Sequence, residues 1–143
     1  MTLNLNELEP GVVAFLDTRI LLHDRRLRRP SNNGTEFCSR PFLCIEVGAG
    51  TTSWLALTRQ PGSHHQRVRL HPAWLLGPQW WTHGRSQYIN DVREPYHGRD
   101  VVFADAARGE TPFWYDPRPR VSAQGLRLIR EVTHKILDRV TEA

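Results

Sequence analysis

Two short apolar runs joined by Gly48-Ala49-Gly50 constrain this chain more than any other feature. Residues 42–47, FLCIEV, and 51–58, TTSWLALT, are rich in β-branched and aromatic side chains and bounded by breakers, which reads as two strands. Pro41 belongs at the start of the first one, because a residue without an N–H is tolerated there and not within a central ladder. It also biases Arg40 toward an extended backbone, so the guanidinium is expected on the rim of the sheet.

The remaining chain supplies further strands and one helix. Pro10-Gly11 turns into a strand over residues 12–17. Residues 19–34 form a long basic connection in which Arg25, Arg26, Arg28 and Arg29 surround Leu27, read either as an arm that meets phosphates or as a solvated loop. Residues 67–70, 88–96 and 100–105 are expected as strands. Residues 71–87 carry three of the five tryptophans, a segment that suits core and rim packing better than a binding platform. Ser122 is a helix N-cap, and Leu126, Ile129, Val132, Ile136 and Val140 follow at spacings of three or four. The expectation is one α+β, mainly β domain over residues 1–143: a small antiparallel sheet with a C-terminal helix.

Of the nineteen basic side chains only Lys135 is lysine, and the net charge is +4. Arginine suits bidentate phosphate contacts and base stacking, while coding from a GC-rich genome gives the same bias with no ligand involved. No apolar run approaches a membrane span and MTLNLNELEP has neither the basic start nor the apolar centre of a signal peptide, so a cytoplasmic location is expected. Cys38 and Cys44 match no zinc or redox spacing and read as reduced thiols, Cys44 in the core.

Walker loops, nucleophile elbows, His-Glu-x-x-His and paired-cysteine motifs are all absent from the sequence. His64, His65 and His71 lack the spacing of a coordination shell, so no metal site is expected. Glu36, Arg40 and Thr58 remain. If the two central strands pair about the Gly48–Gly50 turn, Arg40 and Thr58 fall at one open end of the sheet, where a guanidinium fork beside a hydroxyl holds a phosphodiester. The structural alternative is a Glu36–Arg40 loop salt bridge with Thr58 satisfying a turn.

Taken together, Gly11-Val12-Val13, Gly34-Thr35-Glu36, Arg40-Pro41 before an apolar strand, and Leu57-Thr58 closing the next one resemble the PemK/MazF family of bacterial toxin endoribonucleases. The likeness covers residues 11–70. It implies an SH3-like barrel that dimerises, restrained by a cognate antitoxin protein. It also implies cofactor-free and metal-independent cleavage of single-stranded RNA, by attack of the 2′-hydroxyl on the adjacent phosphate. On that resemblance Arg40 and Thr58 take the catalytic arginine and threonine positions and Glu36 that of the loop glutamate, with Arg25, Arg26, Arg28, Arg29 and Arg59 as RNA contacts. Glu36 lies one residue closer to Arg40 than in the family pattern, Arg59 stands where a small polar residue is usual, and residues 19–34, 71–87 and 104–120 read as insertions beside a minimal member. The alternative function is a barrel of the same kind that binds nucleic acid or a protein partner without cleaving.

Overall fold

In the computed structural model, residues 4–29, 39–59, 67–107 and 118–142 are described. Strands β1 (Val13–Asp17), β2 (Ser39–Val47) and β3 (Thr51–Thr58) form the centre of the molecule. They are followed by β4 (Val68–Arg69), β5 (Leu75–Leu76), β6 (Tyr88–Ile89), β7 (Tyr96–Arg99) and β8 (Arg120–Val121). Helices are α1 (Thr18–Leu22), α2 (Gln79–Thr82), α3 (Asp100–Ala106) and α4 (Ala123–Glu142). No helix among the described residues is long and apolar enough to cross a membrane.

The β2–β3 hairpin forms as its sequence requires. Gly50 takes a φ of 81°, a left-handed conformation that glycine adopts without a Cβ penalty, and Gly48 N–H donates to Thr51 O at 2.8 Å. Phe42 lies opposite Ala56, Leu43 opposite Leu55 and Cys44 opposite Trp54, with a bulge between Cys44 and Glu46. Alternation then separates two cores. Phe42, Cys44, Trp54 and Ala56 pack with Leu16, Leu21, Tyr96 and Phe103 on one face. Leu43, Leu55 and Leu57 pack with Val13, Trp81, Leu126 and Ile129 on the other. Burial of both faces explains why these strands read as continuous apolar runs and not as alternating ones.

The hydrogen-bonded order is β1-β2-β3-β6-β4, and β7 joins the other half of the same edge of β3. These six strands therefore form an open, antiparallel sheet in an α+β fold, β5 and β8 pair in a separate two-stranded one, and the closed ring expected of an SH3-like barrel is not completed by these pairings. The outer edge of β1 meets other segments instead, through single bridges from Val12 to Arg120 and from Leu16 to Ala107. Ion pairs Arg118–Glu7 and Arg120–Glu9 tie the N-terminal segment to the same region.

Several expected boundaries change. β2 starts at Ser39, so Pro41 sits inside it, opposite Phe15 of β1. Cys44 N–H donates to Val12 O while Cys44 O accepts from Gly11 N, so even-numbered residues of β2 direct their backbone groups to β1 and Pro41 faces β3. The missing donor falls on that side, where the paired register begins only at Phe42–Ala56. Residues 88–96 are not one strand. Leu57 lies opposite Ile89 and Trp54 opposite Tyr96, so three steps along β3 correspond to seven along the partner, and the excess leaves the sheet as a turn. Asp91 Oδ1 stabilises that turn by accepting from Arg93 N at 2.9 Å. Residues 100–105, expected as a strand, are helical in α3, and α1 is a helix within the basic connection. The tryptophan segment divides: Trp81 is buried, Trp74 is half-buried and Trp80 is exposed against Phe15. Ser122 caps α4 as expected, its Oγ accepting from Gly125 N at 3.1 Å.

Two stability predictions follow from this packing. Gly11 has a φ of 100°, and a Cβ there would stand 2.6 Å from Val121 O, which itself belongs to a segment bonded to Gly11 O through Val121 N. Gly11→Ala is expected to cost at least ~1–3 kcal/mol, visible as a lowered thermal midpoint. An unchanged midpoint contradicts that packing. Burial pushes the Cys44 thiol up to about 12, so at pH 8 almost none of it is thiolate. In a Cys38→Ser background, iodoacetamide is expected to modify Cys44 only under denaturing conditions, as read by intact mass.

Candidate functional site

Continuing the Phe42–Ala56 register by two residues sets Arg40 directly across from Thr58. Because even-numbered residues of β2 turn their backbone groups away from β3, this is a non-hydrogen-bonded pair, the arrangement in which side chains approach most closely. Both residues share the parity of Phe42 and Ala56, so their side chains leave the same face of the sheet. Helix α4 packs on the opposite face through Leu126 and Ile129. Arg40 and Thr58 are each half-buried, and Arg40 Nε is itself buried.

The same line continues in both directions. Leu16 of β1 lies opposite Arg40, Tyr88 of β6 opposite Thr58, and Arg69 of β4 opposite Tyr88. Leu16, Arg40, Thr58, Tyr88 and Arg69 thus form one row across five strands, none of them acidic. Tyr88 is half-buried and Arg69 exposed, its Nη2 donating to Ser86 Oγ at 3.3 Å. One step behind Tyr88, Arg67 Nη2 donates to Asn90 Oδ1, and Asn90 N–H donates to Ala56 O at 2.9 Å. Three guanidinium groups, a hydroxyl, a phenol and a carboxamide therefore occupy one end of one sheet face. Such a set holds anionic oxygens through charge-assisted bonds and offers an aromatic surface.

The other residues singled out from the sequence fall differently. Arg59 follows Thr58 directly and is exposed at this rim. Arg28 instead pairs with His97 of β7, which lies across from Ser53. Five steps along β3 lead from Ser53 to Thr58, about 17 Å along an extended strand, so Arg28 and its neighbours Arg25, Arg26 and Arg29 begin at the far half of the sheet. Glu36, Cys38, His64 and His65 lie outside the described residues. His71 accepts from Ala73 N through Nδ1 at the start of a 3-10 turn over Pro72–Trp74. Among the described residues no group of three or more His, Cys, Asp or Glu side chains could hold a metal ion.

Tyr88 and Arg69 were not singled out by sequence reasoning. The local signal was their alternation with Ile89 and Val68, whose burial in the opposite core turns the polar neighbours to this face. No family model, curated protein or solved structure matches the chain.

Proposed function

We propose that this chain is a metal-independent endoribonuclease acting on single-stranded RNA, as the toxin of a type II toxin-antitoxin system. The observation that carries the reading is the cross-strand pair of Arg40 and Thr58 on the sheet face that α4 does not cover. The order and spacing of the PemK/MazF-like motifs within residues 11–70 support the same reading.

In this reading the hairpin with β6 and β4 is the groove-bearing part of an SH3-like barrel. Two copies form a homodimer, and an antitoxin segment covers the groove. The guanidinium of Arg40 donates to a non-bridging phosphate oxygen and offsets the charge that builds as the 2′-oxygen approaches phosphorus. Thr58 Oγ1 donates to the phosphate and fixes its orientation. The 2′-hydroxyl gives its proton to solvent water as the 2′-O–P bond forms, the P–O5′ bond breaks, and the leaving oxygen takes a proton from water, leaving a 2′,3′-cyclic phosphate and a 5′-hydroxyl. Arg40 is not the proton acceptor for the 2′-hydroxyl, because a guanidinium stays protonated.

The row described above contains no histidine or carboxylate to accept that proton. This favours one alternative, a sheet that binds nucleic acid without cutting it. A digest of mixed single-stranded RNA in EDTA separates the two. Cyclic-phosphate termini produced by wild type and not by Arg40→Ala support the nuclease, and intact RNA overturns it.

A further inference from the structure

We infer that Tyr88 and Arg69 extend the Arg40–Thr58 pair into a binding track for several nucleotides, on which the RNA runs across the strands and stacks a base on Tyr88. The inference rests on the ribonucleotide reading above and names how the strand is held. Arg40 and Arg69 are separated by three inter-strand steps, from β2 through β3 and β6 to β4. At about 4.8 Å per step their backbones stand about 14 Å apart, too far for one phosphate to bridge and suited to an extended strand that presents successive phosphates.

Tyr88 lies between them, on the same face as both. Tyr88 is half-buried, so the residue is partly open to solvent on the face that carries the row. A π-face held between two cationic groups is the arrangement that grips single strands regardless of sequence, with bases on the aromatic and phosphates on the arginines. Among the described residues Arg69 bonds only to the Ser86 hydroxyl and has no carboxylate partner, so its charge is available to a phosphate.

The test is fluorescence-anisotropy binding of a random pool of short 2′-O-methyl oligonucleotides, whose blocked nucleophile prevents cleavage, over a range of salt concentrations. Tyr88→Ala is expected to weaken binding about 5- to 150-fold, while Tyr88→Phe keeps the wild-type affinity. Arg69→Gln, at an exposed site where folding is not at risk, is expected to flatten the slope of log K against log salt by about 0.7. A pool with the same backbone and abasic positions responds to Arg69→Gln and not to Tyr88→Ala. Wild-type binding by Tyr88→Ala and an unchanged salt slope in Arg69→Gln overturn the track. If RNA cleavage still depends on Arg40 in that case, the nuclease reading stands without it. A wild-type protein that neither binds the pool nor cleaves RNA overturns both.

Discussion

Arg40→Ala is expected, on the nuclease reading proposed above, to slow cleavage of single-stranded RNA about 10²- to 10³-fold, the loss typical of removing one preorganised donor to a transition-state oxyanion. The effect belongs on the chemical step, because a guanidinium fixed by the strand register across from Thr58 costs little reorganisation when charge develops on the phosphate. Arg40→Lys keeps the charge and loses the planar pair of donors, so it should recover only part of the rate. The fold is expected to survive, since Arg40 is half-buried at the end of β2 and its backbone pairing with Leu16 involves no side-chain atom. Single-turnover cleavage measured beside a thermal melt separates the two effects. An unchanged rate in a folded Arg40→Ala protein removes Arg40 from the mechanism.

Trp54→Ala is expected to be the most damaging of these substitutions to stability, costing about 3–5 kcal/mol. The side chain is fully buried in the middle of β3 and stacks on Phe103 of α3, with ring centroids 5.7 Å apart. Removing it opens a cavity between sheet and helix. It also takes away the indole N–H that donates to Thr52 Oγ1 at 2.9 Å, leaving a hydroxyl buried without that partner. For a chain of this length the loss corresponds to roughly 10 °C in thermal midpoint. A shift of only one or two degrees indicates that α3 does not pack on the sheet through this residue.

Trp54→Ala and Arg40→Ala probe the same hairpin at different depths. The pleat that buries Trp54, Phe42 and Ala56 carries Arg40 and Thr58 two residues further along to the same face. Stability and the candidate site are thereby coupled through register: a one-residue slip of β2 on β3 would send Arg40 and Phe42 together to the α4 side and empty the first core. Bulk packing around Trp54 and Phe103 is what forbids the slip.

The elements legible from the sequence are those specified by local chemistry. The strand over 51–58, the turn at Gly50, the cap at Ser122 and the start of the apolar stripe of α4 at Leu126, Ile129 and Val132 each depend on residues close together in the chain, and each formed as expected. Burial of Cys44 followed from its place in an uninterrupted apolar run. Tertiary structure decided the rest. Residues 100–106 are apolar and β-branched enough for a strand, yet β7 already ends on β3 at Thr51–Arg99, and a helix there buries Phe103, Ala104 and Ala106 against the first core. Pro41 lies within β2 because the ladder it interrupts faces β3, a direction set by how β1 pairs and invisible in the residue itself. The Arg40–Thr58 pair follows from the β2–β3 hairpin, but Tyr88 and Arg69 come from strands with no local link to it; only the registers of three successive strand pairs bring those side chains into line.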